Sequence, residues 1–177
     1  MRKVLCCALI VFSFAGLVGC TISKDEMSSS EYFRIHIRAN SNSMEDQNIK
    51  YMIKDSVVEY LSPLIAECED KDSMMSVVQD NLSDIESVAD DILRESGFGY
   101  TSTAYISEEY FPTRVYGDIT LEAAVYDAII VELGEGDGNN WWCVVYPPLC
   151  FVNAEETSTS GFRYKSKLME IIKNFFD

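Results

Sequence analysis

Phe33-Arg34-Ile35-His36-Ile37-Arg38 sets apolar and polar residues in strict alternation, and a few residues later the pattern changes its period. Alternation of period two marks a strand with one buried face. Phe33, Ile35 and Ile37 are therefore assigned to the core, and Arg34, His36 and Arg38 to a polar face. From Ser43 onward Ile49, Met52, Ile53, Val57, Tyr60, Leu61, Leu64 and Ile65 fall at the three-and-four spacing of one helical face. Ser43 is placed to cap this helix, with Asp46 three residues on in the manner of a capping box.

The residues that follow extend the pattern. Cys68-Glu69-Asp70-Lys71-Asp72 suits a short turn between antiparallel helices. A second helix is expected from Asp72 or Ser73 through Met75, Val78, Leu82, Ile85, Val88, Ala89, Ile92 and Leu93 to a stop at Gly97. Beyond Gly99 the periodicity becomes that of strands: residues 100–106 and 111–116, with Ser107-Glu108-Glu109 as the turn between them. Residues 121–126 open a short helix in this reading, and 128–133 form a strand. The run Gly134-Glu135-Gly136-Asp137-Gly138-Asn139-Asn140 is a tight connection, with glycine at alternate positions to allow positive φ. Residues 141–146 return as a strand that Pro147-Pro148 ends. A final amphipathic helix is expected over residues 165–176. The order of elements predicts an α+β fold, a mostly antiparallel sheet packed by two long N-terminal helices and a C-terminal helix.

The chain of 177 residues begins with Met1, Arg2 and Lys3, an uncharged apolar run over residues 4–18, then Gly19 and Cys20. A basic n-region, a short h-region and a small residue describe a cleaved export signal, and the run is shorter than the ~20 residues a membrane span requires. Leu17-Val18-Gly19-Cys20 matches a bacterial lipobox, which makes Cys20 the expected lipidation site. The expected organisation is a signal peptide at 1–19, a flexible tether at 20–31 and a single extracytoplasmic domain at 32–177. Without residues 1–19 the chain keeps twelve basic and 29 acidic residues, a net charge of −17. Such a surface repels nucleic acid and anionic lipid, so a covalent lipid is the expected attachment to a membrane.

Catalytic chemistry has little to draw on. His36 is the single histidine, and no thiol lies in a setting that would lower its pKa. Cys143 and Cys150 are near enough in sequence to pair, and Cys68 sits in an apolar helical pattern as a core thiol. No cofactor or metal site is expected, since zinc would want CxxC-type spacing and more histidine than His36. The loop glycines do not follow the phosphate-binding pattern of a strand opening into a helix with a lysine behind it. Glu135 with Asp137 allows one enzymatic alternative, a cell-wall-binding or cell-wall-hydrolysing lipoprotein. The densest information lies in Asn140-Trp141-Trp142-Cys143 and Pro147-Pro148-Leu149-Cys150. Adjacent tryptophans on a strand point to opposite faces. One faces out as a binding anchor, or both are covered by the terminal helix.

This block, with Phe111-Pro112-Thr113-Arg114, Tyr116-Gly117, Gly134-Glu135-Gly136 and Ile37-Arg38-Ala39-Asn40-Ser41, resembles the signature of the stage II sporulation protein R family of endospore-forming bacteria. The likeness runs in order over residues 33–151. It departs at Glu122-Ala123-Ala124 and Ile129-Ile130, where the family has a Pro-Ala-Gly turn and an arginine. The resemblance implies a non-enzymatic signalling protein exported from the forespore into the space between two membranes. Its implied partner is a membrane-embedded aspartic protease of the mother cell, which cuts the sigma E precursor. Phe111, Arg114, Tyr116, Trp141, Trp142, Pro147 and Pro148 are then the expected contact residues, with Cys143 and Cys150 holding the shape of the strand and loop.

Overall fold

The computed structural model describes residues 28–116 and 119–151. The expected export signal, the expected lipidation site Cys20, the expected tether up to residue 27 and the expected helix at 165–176 lie outside the described residues. The first strand, β1, runs Phe33–Arg38 and is followed by helix α1, Met44–Ile65. Ser43 Oγ accepts from the Asp46 N–H at 3.0 Å and so caps α1. Asp46 does not complete a capping box. Its carboxylate instead accepts from Asn40 Nδ2 at 2.9 Å and from Ser41 Oγ and Tyr100 Oη, each at 2.5 Å.

Burial alone would raise the Asp46 pKa, but the hydrogen bonds from Ser41, Tyr100, Asn40 and Ser43 outweigh it and hold the value low. A carboxyl depressed on folding stabilises the native state above its unfolded pKa of about 3.9, and that contribution is lost as pH falls through the lower folded value. Asp46→Asn presents an amide N–H to a ring of donors. It is expected to cost about 2 kcal/mol at pH 7, and urea melts should show the gap to wild type closing below about pH 4.

The expected second helix is two. Helix α2, Lys71–Asp80, is capped by Asp70, whose side chain accepts from the Ser73 N–H at 2.7 Å. Helix α3 runs Leu82–Glu95. Asn81 separates them because its side-chain Nδ2 takes the Val77 carbonyl at 2.7 Å, the acceptor that a continuing helix would give to the Asn81 backbone. Tyr60 Oη donates to Asn81 Oδ1 at 2.8 Å and fixes the break against α1. Helix α3 stops at Gly97, which has φ +82°, with Phe98 N–H bonded to the Leu93 carbonyl and Gly97 N–H to that of Arg94.

Two local readings of the strands need correction. Ser107-Glu108-Glu109 is not a turn: β2 is continuous over Ser102–Phe111 and pairs along its whole length with β5, Ala124–Leu133. Charges along it suit an edge strand. Nor is there a helix at 121–126. Strand β3, Arg114–Tyr116, pairs with β4, Ile119–Leu121, and β5 begins three residues later, so cross-strand pairing overrides the helical preference of Leu, Glu and Ala. Strand β6 is Asn140–Tyr146.

The main sheet has the order β2-β5-β1-β6. The β2–β5 and β1–β6 pairings are antiparallel and β1–β5 is parallel, so the sheet is mixed, with antiparallel pairs in the majority. On one face Phe33, Ile35, Ile37, Ile129, Val131 and Val145 pack with Ile53, Leu61, Val78, Ile85 and Leu93 of the helices. On the other face Tyr32, Phe111, Leu121, Tyr126, Ala128, Ile130 and Val144 form a second, smaller core. The face of β1 read as polar is therefore covered: Arg34 and His36 are 0% and 3% exposed.

Because β1 lies between β5 and β6, the glycine loop is not a tight hairpin. It crosses the end of β1 and is fastened there by Gly138 N–H to the Ala39 carbonyl at 2.8 Å, Asp137 N–H to that of Asn40 at 3.3 Å, and Asn139 N–H to Asn42 Oδ1 at 2.7 Å. Gly134 and Gly136 have positive φ, but Gly138 does not. A Cβ at Gly138 would lie 2.2 Å from the Ser41 carbonyl oxygen, so its role is close approach of two backbones.

Candidate functional site

The smaller core holds an unusual set of charges. Strand β2 ends at Phe111, and Pro112, lacking an N–H, leads the chain away from the sheet. Thr113 Oγ1 accepts from the Ala123 N–H at 3.1 Å and closes the base of the β3–β4 pair, which hydrogen-bonds to no strand of the main sheet. This small sheet brings Arg114 and Tyr116 over β1 and β6.

Beneath it lies Arg34. Its guanidinium carbon sits 4.1 Å from the Phe111 ring centre, 4.8 Å from that of Tyr126 and 5.8 Å from that of Tyr116. Nη2 donates to Tyr116 Oη at 2.6 Å, while Nε and Nη1 have no acceptor. Burial lowers the Arg34 pKa, Tyr116 offsets part of this, and Arg114 pushes in the lowering direction. Cation–aromatic contacts contribute about 0.5–2 kcal/mol each, but each buried donor left without an acceptor costs about 1–3 kcal/mol. The rings hold the charge, and the Tyr116 hydroxyl satisfies only Nη2.

His36 lies one step along the same face. Its Nδ1 is 2.9 Å from Glu109 Oε2, and its ring stacks on Trp142 at 5.4 Å and meets the edge of Phe111 at 5.8 Å. Its Nε2 has no partner. Arg38, next in the alternation, pairs with both Glu109 and Glu132. Burial works against its charge, but the two carboxylates prevail and raise its pKa. At the rim the Arg114 guanidinium carbon lies 4.2 Å over the Trp142 ring.

The expected contact residues thus divide. Arg114, Tyr116, Trp141 and Trp142 are half-buried, whereas Phe111, Pro147 and Pro148 are buried. The two tryptophans do take opposite faces. Trp142 belongs to the smaller core, while Trp141 packs on the helical side with Lys54 Nζ 5.6 Å from its ring centre. Cys143 and Cys150 are joined by a disulfide, with Cα atoms 5.8 Å apart, and this ties the turn at Leu149–Phe151 to β6. Cys68 is a buried free thiol whose pKa burial raises. Glu135 and Asp137 are exposed, and the loop is fastened by their backbone N–H groups. Among the described residues no group of His, Cys, Asp and Glu is arranged to hold a metal ion.

Arg34, His36, Arg38 and Glu109 do not stand out as site residues in the sequence. The signal was present as three basic residues at alternate positions of β1. What it lacked was the knowledge that aromatic residues of β2, β5 and β6 cover the same face.

A family model described as stage II sporulation protein R matches residues 29–156. Stage II sporulation protein R of Bacillus subtilis (strain 168) is 31% identical over 163 residues, covering 86% of this chain and 72% of the relative. No solved structure matches. The matched region contains every element described above together with the Trp141-Trp142 block and the Arg34 face, and on these findings the chain belongs to the stage II sporulation protein R family.

Proposed function

We propose that this protein is an exported, non-enzymatic sporulation signal. Made in the forespore and anchored through Cys20, it activates a membrane-embedded aspartic protease of the mother cell and so brings about cleavage of the sigma E precursor. The export signal at 1–19 and the tether at 20–31 belong to this reading, since a lipid and a short linker would keep the domain facing the intermembrane space. The observation that carries the contact surface is Arg114 stacked on Trp142 at 4.2 Å, beside half-buried Tyr116. Aromatic and arginine side chains of this kind are enriched among residues that dominate binding energy. The non-enzymatic reading is supported by the state of the nucleophile candidates: Cys143 and Cys150 are bonded to each other, and Cys68 is buried.

A ligand shifts the protease toward its active state only as far as it binds that state more tightly, with about 1.4 kcal/mol of preference for each tenfold change in population. The test is co-expression of protease and precursor with and without this protein. Cleavage that depends on it is expected. Cleavage at the same rate in its absence, or release of fragments from peptidoglycan by the purified protein, would overturn the reading.

A further inference from the structure

Among the described buried polar side chains, only Arg34 and His36 carry nitrogen atoms without a partner. The other buried charges are satisfied. Lys50 Nζ donates to Gln47 Oε1 at 2.7 Å and to the Asn139 carbonyl at 2.9 Å, and Asp46 is ringed by donors. Arg34 is fully buried, and in a chain with 29 acidic residues no described carboxylate pairs with it. Glu109 and Glu132, the acids nearest on this face, are engaged by His36 and Arg38. Arg34 and His36 both lie against the Phe111 ring, so their unpartnered nitrogens belong to one aromatic-walled part of the smaller core.

From this placement we propose that the region between β1 and the β3–β4 pair opens to bind an organic carboxylate, with Arg34 Nε and Nη1 as its donors. A guanidinium suits a planar carboxylate, and the aromatic walls suit the carbon skeleton behind it. The net charge of −15 disfavours a dianion such as phosphate more than a monoanion. His36 meets Glu109 through Nδ1, which leaves Nε2 to hydrogen-bond with the same ligand. Tyr116 is the roof. It is half-buried and sits on a two-stranded sheet of three residues per strand, an element with little stability of its own, so entry of the ligand would displace it. The site stands whether or not the protein acts on a protease.

A free acid and an acidic side chain of a peptide share this chemistry, and the test separates them. Full-length protein labelled with nitrogen-15 is titrated with acetate, with a capped tripeptide carrying a central glutamate, with its glutamine counterpart and with phosphate. The Arg34 Nε–H resonance and Trp142 fluorescence are followed. Saturable shifts are expected with acetate or the glutamate peptide at a Kd on the order of 1–10 mM. Tighter binding of the peptide assigns the source to a protein segment, and tighter binding of acetate to a small acid. Arg34→Met should weaken the response at least tenfold while leaving the melting temperature at or above that of wild type, because it removes donors that the fold itself leaves unsatisfied. No saturable shift, or an equal response to the glutamine peptide or to phosphate, would overturn the proposal. So would a fall of more than about 5 °C in the melting temperature of Arg34→Met, which would make Arg34 a structural residue.

Discussion

Gly138→Ala should lower the melting temperature by about 10 °C or more, corresponding to a loss of about 3–5 kcal/mol. The added Cβ meets the Ser41 carbonyl oxygen at 2.2 Å, its carbon at 2.6 Å and Ala39 Cβ at 2.9 Å. Two of these are backbone atoms, so no rotamer change relieves the contact. Relief requires the loop to lift, which breaks Gly138 N–H to Ala39 and weakens Asn139 N–H to Asn42 and Lys50 Nζ to the Asn139 carbonyl. Each lost bond adds about 1 kcal/mol to the overpacking cost. Gly136→Ala is the control. Its φ of +66° penalises a side chain by about 1–2 kcal/mol, but its Cβ would find nothing closer than 3.7 Å. Thermal unfolding followed by circular dichroism should rank Gly138→Ala well below Gly136→Ala. Equal melting temperatures would mean that the loop does not rest on β1 as described.

Arg114→Ala and Trp142→Ala should each reduce precursor cleavage in the co-expression assay more than tenfold, since truncating a central aromatic or arginine anchor costs about 2 kcal/mol or more of binding. Arg114 is the cleaner probe. It sits on the small β3–β4 sheet, half-buried over Trp142, so its removal leaves both hydrophobic cores intact. Arg114→Lys keeps the charge but loses the planar stack on the ring, and an intermediate loss separates geometry from charge. Trp142→Ala also uncovers His36, so its melting temperature has to be measured beside its activity. Unchanged cleavage with both alanine variants folded would remove this surface from the proposed function.

What the sequence made legible was local. The period of β1, the Ser43 cap, the end of α1 at Ile65, the stop at Gly97 and the opposed faces of Trp141 and Trp142 each depend on residues within a turn or two of one another. What stayed hidden was set by partners far away. Glu109 looks like a turn residue until Arg38 and His36, some seventy positions earlier, are brought opposite it. Residues 121–126 look helical until β3 supplies a pairing partner. Asn81 interrupts a helix through a side-chain bond that periodicity does not register. The charged face of β1 reads as solvent-facing because Phe111, Leu121, Tyr126 and Val144, which cover it, are scattered over four later strands. The same scattering hid Arg34 as a site residue.

The central position of β1 also orders events in time. Its two hydrogen-bonded neighbours, β5 and β6, lie about a hundred residues further along the chain, a separation that makes pairing slow relative to the formation of local helices. A chain emerging from its amino end delivers β1 first and then waits. α1, α2 and α3 can form and touch one another, but the strand they pack against gains its first partner only when residues 127–132 have followed, and its second only with residues 140–146. Until then neither core is closed, and the Arg34 face has no floor or roof. The domain is thus an open polypeptide until most of its length has emerged, and it becomes a shaped surface only near the end of the chain.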